Sequence, residues 1–112
     1  MYMLSQRDVI QINKLFDNGK VVNNSSMEFA VSSANHTKDW VTQLAYLLRS
    51  VVVDHVFEEG NKRTGAAIFV AYCRAHNKAY DLYKIDLIIR DLIQKNMTDI
   101  KEIRGKIKNA II

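Results

Sequence analysis

The densest group of chemically useful side chains in this chain of 112 residues lies between positions 55 and 65. A base, two carboxylates, a glycine, an amide and two cations follow one another there: His55, Glu58, Glu59, Gly60, Asn61, Lys62 and Arg63. Each of these residue types is useful if the ligand is a phosphate. The stretch is therefore the first candidate for a functional site.

The Gly60-Asn61 junction is suited to an anion, because we expect a helix to begin there. The first turn of a helix has free backbone N–H groups and the positive end of the helix dipole. Gly60 lacks a Cβ atom, so phosphate oxygens can approach its backbone closely. Asn61 can cap the helix or donate its amide to an oxygen, and Arg63 offers a planar, charged fork that matches phosphate.

His55 and Glu59 add reactive groups beside this anion site. Histidine is the residue type that most often removes a proton from a substrate hydroxyl. A carboxylate such as that of Glu59 can bind Mg²⁺ that phosphates also hold. Together the two residues predict a reaction at a phosphate group rather than anion binding alone.

The same residues also have ordinary structural interpretations. A histidine at a helix end is commonly a C-cap, glutamates before a helix complement its dipole, and Lys62 and Arg63 would then be solvated. Phe57 we interpret as a core anchor that pins the loop between two helices. No single residue decides between a structural and a catalytic role; the order and spacing of the whole group favour catalysis.

Helices are expected to position this segment, because the chain has no proline and only four glycines. Apolar residues recur at spacings of three and four along most of it, which predicts a compact all-α bundle of five or six helices in one domain, residues 1–112. The candidate site falls in a loop between the two central helices.

The first half of the chain is predicted to contain two helices before the central pair. One starts at Ser5 and carries an apolar stripe that includes Leu15 and Phe16, up to a stop at residues 17–19. The polar stretch 20–24 could be a loop or one arm of a small hairpin. Ser25 or Ser26 is then expected to cap a brief helix that runs to Val31.

The central pair and the last two helices follow from the same periodicity. Thr37 is the predicted N-cap of a helix that runs to about Asp54, and the next helix runs from near Asn61 through Arg74. We expect the latter to be buried on most faces, because residues 66–73 are nearly all apolar. The last two predicted helices each have an apolar face. The first face consists of Ile85, Ile88, Ile89, Leu92 and Ile93, and the second consists of Ile100, Ile103, Ile107 and Ile111.

Composition limits the classes of partner. Sixteen Lys and Arg against twelve Asp and Glu give a net charge of +4, which suits an anionic ligand. No basic run is interleaved with aromatic residues, so nucleic-acid binding is not favoured. The single cysteine excludes an intramolecular disulfide, and the longest apolar stretch is far shorter than the roughly 20 residues that span a bilayer. With no signal-peptide pattern at the N-terminus, we expect a soluble cytoplasmic protein.

The pattern His55-x-Phe57-x-Glu59-Gly60-Asn61-x-Arg63 resembles the motif of the Fic/Doc family, whose members share a helical fold with the motif in a central loop. The continuation Lys62-Arg63-Thr64 is most like the Doc, or death-on-curing, toxin branch. The resemblance implies that His55 deprotonates a hydroxyl of a target protein, that Phe57 anchors the loop and that Glu59 binds Mg²⁺. It further implies that ATP is the co-substrate and that its phosphates are held by Gly60, Asn61, Lys62 and Arg63.

Two positions bear on the reaction within that family. Members that transfer AMP have a small residue after the Asn and a second Arg three residues after the first, where this chain has Lys62 and Ala66. Both differences resemble Doc proteins, which transfer the γ-phosphate to a translation elongation factor. The resemblance thus implies a protein kinase, with AMP transfer to a protein as the alternative and a non-catalytic interaction module or a nucleic-acid binder as a lesser one.

Regulation and three weaker candidates complete the sequence-based predictions. Thr98 and Glu102 have the spacing of the inhibitory helix of Fic-type proteins, but Ile103 follows where Gly or Asn should, so a plain surface helix is favoured and a separate antitoxin is expected. Three further candidates are weaker. His36, Cys73 and His76 could form a metal site, but their spacing matches no common zinc pattern. Trp40 and tyrosines could line a pocket, and Val21-Val22 could belong to a flap that would grip a target segment.

Overall fold

Six α-helices form most of the chain in a computed structural model, which describes residues 2–111. The helices are α1 Gln6–Asn13, α2 Asn24–Asn35, α3 Trp40–Leu48, α4 Asn61–Ala75, α5 Leu82–Gln94 and α6 Ile100–Ala110. No strand occurs in the described part, where β-type pairing is limited to two isolated antiparallel bridges, Val21 with Phe57 and Tyr80 with Ile111. The predicted all-α bundle is confirmed, and the candidate site lies in the loop before α4.

The centre of the bundle is formed by α3 and α4. A five-residue π-helical segment, Arg49–Val53, continues α3 without a break, and α4 packs against both of them. Gly65 allows this close approach, since a Cβ atom there would lie 2.5 Å from Cγ1 of Val52. These side chains of the two elements are at most 1% exposed: Leu44, Leu48, Val51, Val52, Ile68, Phe69 and Tyr72.

Local capping explains several helix starts. Ser5 and Asp8 form a capping box at α1, with Asp8 N–H to Ser5 Oγ at 3.1 Å and Ser5 N–H to Asp8 Oδ2 at 2.9 Å. Asp99 caps α6 as its side chain accepts from Lys101 N–H at 2.8 Å. The predicted N-cap Thr37 is wrong. Its hydroxyl accepts the N–H of Asp39 in a turn, and Asp39 itself is the N-cap of α3.

The predicted extent of the first helix is also wrong. The helix α1 ends at Asn13, and residues 14–17 continue in a turn in which the N–H groups of Phe16 and Asp17 both donate to the Asn13 carbonyl. Leu15 is 74% exposed as a result, and Phe16 is 38% exposed, so neither belongs to the core. The turn ends at Gly19, which has a left-handed backbone (φ +75°) that suits glycine.

The second helix is longer than the sequence predicts. It begins one residue after Asn23, whose side chain accepts the N–H of Ser26 at 3.3 Å, so neither Ser25 nor Ser26 is the cap. It continues past Val31 to Asn35, and its buried face consists of Met27, Ala30, Val31 and Ala34. This face packs against α3, so an interrupted apolar pattern is enough to bury the helix on one side.

The helix α4 is not buried on most faces, contrary to expectation. Its inner face is buried, but Ala66, Ala67, Val70 and Ala71 are only half-buried. These four residues line a shallow groove of about 540 Å³ on the outside of the bundle, between Arg63 and Arg74. An apolar run predicts burial without telling which sides have a neighbouring helix, and no described helix covers this side.

No helix in residues 2–111 combines the length and the apolar character that a membrane span requires.

Candidate active site

The loop that precedes α4 is fixed at its start by the first turn of α2. Asp54 ends the π-helical segment, with its N–H bound to the Arg49 carbonyl at 3.0 Å. Ser26 donates its hydroxyl to Asp54 Oδ2 at 2.7 Å, and Asn23 donates its amide to the Asp54 carbonyl at 3.2 Å. Single π-helical turns are frequent at functional sites. This π-helical segment and its C-cap Asp54 lead directly to His55, so they fix the direction in which the chain enters the loop.

His55 has a left-handed backbone conformation (φ +52°), which few residues other than glycine adopt. The chain reverses there, so that the exposed imidazole lines a surface cavity while the next two residues enter the core. Val56 is fully buried and Phe57 is 1% exposed. His55 is not a helix C-cap, since Asp54 is the C-cap of the π-helical segment.

Residues 20–23 pair with this loop along its outer side. Val22 and Asn23 both donate N–H to the Val56 carbonyl, at 2.8 and 3.1 Å, and Glu58 donates N–H to the Lys20 carbonyl at 3.0 Å. Val21 and Phe57 form the antiparallel bridge. The sequence left a loop or one arm of a small hairpin open for this stretch; in the structure it is a loop, whose backbone pairs with residues 56–58 and not with a neighbouring strand of a hairpin.

Gly60 joins the loop to α4 in a conformation that a side chain would disturb. Its φ is +79°, and a Cβ atom there would lie 3.1 Å from Asn13 Nδ2 and 3.3 Å from Asp17 Cβ. As the N-cap of α4 it has no side chain to occupy the helix end. The N–H groups of the first turn therefore face outward without a side-chain cap, as an anion site requires.

A cavity of about 510 Å³, open to the surface, brings the predicted residues together. It is lined by His55, Glu59, Gly60, Asn61, Lys62 and Arg63, and in addition by Phe16, Asp17 and Ile93. The imidazole thus lies beside the start of α4, and the cavity is accessible to a ligand. Phe57 lies beneath it in the core rather than in its wall. The chemical roles of these residues stay predictions.

Three charged side chains of the cavity, those of Glu59, Lys62 and Arg63, have no ion-pair partner in the described part of the chain. Within the described part of the chain, neither Lys62 nor Arg63 forms an ion pair. The two adjacent glutamates differ: Glu58 pairs with Lys20 at 3.1 Å, whereas the carboxylate of Glu59 has no partner among residues 2–111. A free carboxylate beside two free cations fits the donor set that Mg²⁺ and phosphates need together. Of the two glutamates, Glu59 is the one that lines the cavity.

Asn61 has a structural task that the sequence did not reveal. Its Oδ1 accepts the N–H of Phe57 at 3.0 Å and its Nδ2 donates to the Phe57 carbonyl at 2.8 Å. The side chain therefore bridges the loop and the helix that follows it. The second Nδ2 hydrogen is the one that remains for a phosphate oxygen.

Four residues of the site were missed by sequence reasoning. Phe16, Asp17 and Ile93 line the cavity, and Asn13 supports the loop from below. Ile93 and Phe16 looked like ordinary core residues of amphipathic stripes. Asn13 left one signal in the sequence, since it is a polar residue four positions after Val9 on the apolar face of α1.

The metal site considered at His36, Cys73 and His76 is not assembled. Among residues 2–111, no group of three or more His, Cys, Asp or Glu side chains could hold a metal ion. His36 Nδ1 lies 2.6 Å from the Ser32 carbonyl, and His76 stacks on Trp40 with a centroid distance of 4.7 Å. Cys73 is fully buried.

The candidate inhibitory residue is remote from the motif in its interactions. Glu102 is an exposed residue in the first turn of α6. It forms no ion pair with Arg63 or with any other cation in the described part of the chain. The carbonyl of Thr98 accepts instead from Arg49, at 3.2 Å. The structure thus places this segment as a surface helix.

Comparison with known proteins assigns the family. The Fic/DOC family matches residues 4–73, which is more than half of the chain and includes α1 to α3, the whole loop before α4 and α4 up to Cys73. No curated protein matches the chain. The matched range contains every motif residue, and the helical fold agrees with that of the resemblance. The chain belongs to the Fic/DOC family.

Proposed function

We propose that this protein is a Doc-like toxin that transfers the γ-phosphoryl group of ATP to a hydroxyl of a target protein in the cytoplasm. The observation that carries the proposal is the open cavity in which the His55 imidazole lies beside the uncapped start of α4, with Lys62 and Arg63 free of ion pairs. A translation elongation factor is the target class that the Doc-like features favour. A separate antitoxin is the expected regulator.

His55 acts on the target and α4 acts on the nucleotide. The imidazole takes the proton of the target hydroxyl, whose oxygen attacks the γ-phosphorus; the bond to the bridging oxygen breaks, and ADP leaves with that oxygen. The outward N–H groups of the first turn, Lys62 and Arg63 bind the phosphates and stabilise the charge that develops on them. Glu59 holds Mg²⁺, which supplies charge neutralisation to the phosphates when bound.

Two residues support phosphoryl transfer over AMP transfer. Lys62 is exposed at the helix start, where AMP-transferring members have a small residue that leaves room for the terminal phosphates. Ala66, one turn further along α4, stands where those members have a second Arg, and it lines the groove next to Arg63. A bulky cation without the second Arg favours a nucleotide that presents its γ-phosphate to His55.

The experiment incubates a cell extract, and a purified translation elongation factor, with ATP labelled at either the γ- or the α-phosphate. Label from γ on a protein supports the proposal, and label from α overturns the phosphoryl preference but leaves a Fic-type nucleotidyl transferase. Lys62→Gly is the matched variant, and it should increase α-label transfer if Lys62 excludes the other orientation. If the protein binds no Mg²⁺–nucleotide and labels nothing, it is a non-catalytic interaction module. If it binds DNA with steep salt dependence and does not respond to ATP, it is a nucleic-acid binder.

A further inference from the structure

Asn13 connects three separate segments around the cavity although it lies at the end of α1. Its Nδ2 donates to the Glu59 carbonyl at 3.0 Å and to the Thr64 hydroxyl at 3.0 Å. Its Oδ1 accepts the N–H of Gly19 at 2.9 Å. The side chain is fully buried, and so is that of Thr64. One amide therefore binds the loop, the first turn of α4 and the turn that precedes residues 20–23.

The chemistry of these contacts requires an asparagine. An amide side chain has two N–H donors on one atom and an acceptor on the other. The two donors bind the Glu59 carbonyl and the Thr64 hydroxyl, and the acceptor binds the N–H of Gly19. Aspartate would keep the acceptor for Gly19 but would place a carboxylate oxygen against the Glu59 carbonyl. Leucine would leave three buried polar groups without partners, which costs more than the bonds themselves. Burial strengthens each of these bonds, because water does not compete for them.

Asn13 contacts the backbone of Glu59 and lies close to Gly60, two positions on which the proposed active site depends. The Glu59 carbonyl is held directly, so the backbone that carries the proposed Mg²⁺ ligand cannot rotate freely. Gly60 lies close to the same side chain, since a Cβ atom on Gly60 would come within 3.1 Å of Asn13 Nδ2. Thr64 ties both to the helix whose first turn faces the cavity.

We infer that Asn13 is a positioning residue, which sets the affinity of the site for a Mg²⁺–nucleotide by fixing Glu59 and Gly60 relative to α4. This inference rests on the proposed function. It adds to the motif a residue that lies far before His55 in the sequence, at the end of α1. Removal of such supporting hydrogen bonds typically costs about 10- to 100-fold in metal affinity or activity.

The test compares Asn13→Ala and Asn13→Asp with Val9→Ala. Val9 is the other buried residue of α1, one turn earlier, and it has no polar group that could hold the loop. Its truncation weakens the packing of the same helix by leaving a cavity. Binding of ADP is measured with and without Mg²⁺, below the melting temperature of each variant, together with hydrogen exchange of residues 56–64.

The expected result is a loss of about 10-fold or more in Mg²⁺–ADP affinity and faster exchange of the loop in both Asn13 variants. Val9→Ala should lower the melting temperature and leave the Mg²⁺–ADP affinity near that of the wild type. Equal affinities for the Asn13 variants and Val9→Ala, at equal loss of stability, would overturn the inference. An absence of nucleotide binding by the wild type itself would instead count against the proposed function.

A second pair keeps the inference testable if the Asn13 variants do not fold. Thr64→Val removes one acceptor of Asn13 Nδ2 with little change of shape, whereas Thr64→Ser retains it. We expect Thr64→Val to weaken Mg²⁺–ADP binding and Thr64→Ser to restore most of it. Identical affinities for the two would contradict a role for this network in ligand binding.

Discussion

Asn61 binds the backbone of Phe57 at both of its polar groups, accepting the N–H at 3.0 Å and donating to the carbonyl at 2.8 Å. The first residue of α4 thereby fixes the residue that enters the core four positions earlier. Because Phe57 is 1% exposed, the loop is held from below by packing and from the side by this pair of bonds. His55 lies two residues before Phe57 in the same loop, so we expect its position to depend on the same contact.

The first prediction concerns Asn61→Ala. The change leaves the N–H and the carbonyl of Phe57 without their side-chain partner, so we expect the free energy of unfolding to fall by about 1–3 kcal/mol. Nucleotide binding should weaken as well, since the loop loses its fixed shape. Chemical denaturation and calorimetric titration with Mg²⁺–ADP measure the two effects. Asn109→Ala, at an exposed position of α6, is the matched control and should change neither. An Asn61 variant as stable as that control would show that the bridge does not matter.

Gly60→Ala should damage the site through its backbone. The left-handed φ of +79° disfavours any residue with a Cβ atom, and that atom would lie 3.1 Å from Asn13 Nδ2. We expect a loss of about 1–2 kcal/mol in stability and weaker binding of Mg²⁺–ADP. Gly105→Ala is the control, since a Cβ atom there meets nothing within 4 Å in α6 and should raise stability by about 0.4–1 kcal/mol. Equal stabilities for the two variants, from thermal denaturation, would refute the proposed conformation of Gly60.

Gly65→Ala tests the packing of the two central helices. The added methyl group would lie 2.5 Å from Cγ1 of Val52, so the helices must separate, at a cost of about 1–3 kcal/mol. Val52→Ala removes the opposing methyl groups and should rescue part of this loss. We therefore expect the double variant to be more stable than the sum of the two single changes predicts. Strict additivity would mean that the two side chains do not meet.

Cys73 should be an inert thiol in the native protein. Burial raises the pKa of its side chain and removes it from solvent, so both the thiolate fraction and the access of a reagent are low. A disulfide reagent at pH 8 should react slowly with the folded protein and rapidly after unfolding in denaturant. Rapid reaction in the native state would contradict the burial of this thiol.

The sequence predicted the parts of the fold that depend on local chemistry. The start of α1 at Ser5 and the start of α4 near Asn61 follow from residue types within one turn, and both are present. The site residues were found because they are consecutive. Residues that are consecutive in a short segment stay close together in the folded protein, whatever the rest of the chain does.

What the sequence did not reveal depends on distant neighbours. Asn13 bonds to residues 46 and 51 positions away, and no periodicity predicts such a pair. The early end of α1 leaves Leu15 in a turn and 74% exposed against its apolar character, which the periodicity did not predict. The open outer face of α4 is likewise set by the absence of a covering helix in the described residues, not by its own sequence.

The most direct test of the central claim measures phosphoryl transfer by His55→Asn. Asparagine tolerates the left-handed backbone of this position and cannot act as the base, so fold and nucleotide site should remain intact. The assay follows γ-labelled ATP onto protein in a cell extract, beside calorimetric binding of Mg²⁺–ADP. The account predicts unchanged Mg²⁺–ADP affinity and a loss of labelling by at least about 100-fold, the contribution typical of a positioned general base. Labelling at the wild-type rate by His55→Asn, with the nucleotide still bound, would contradict it.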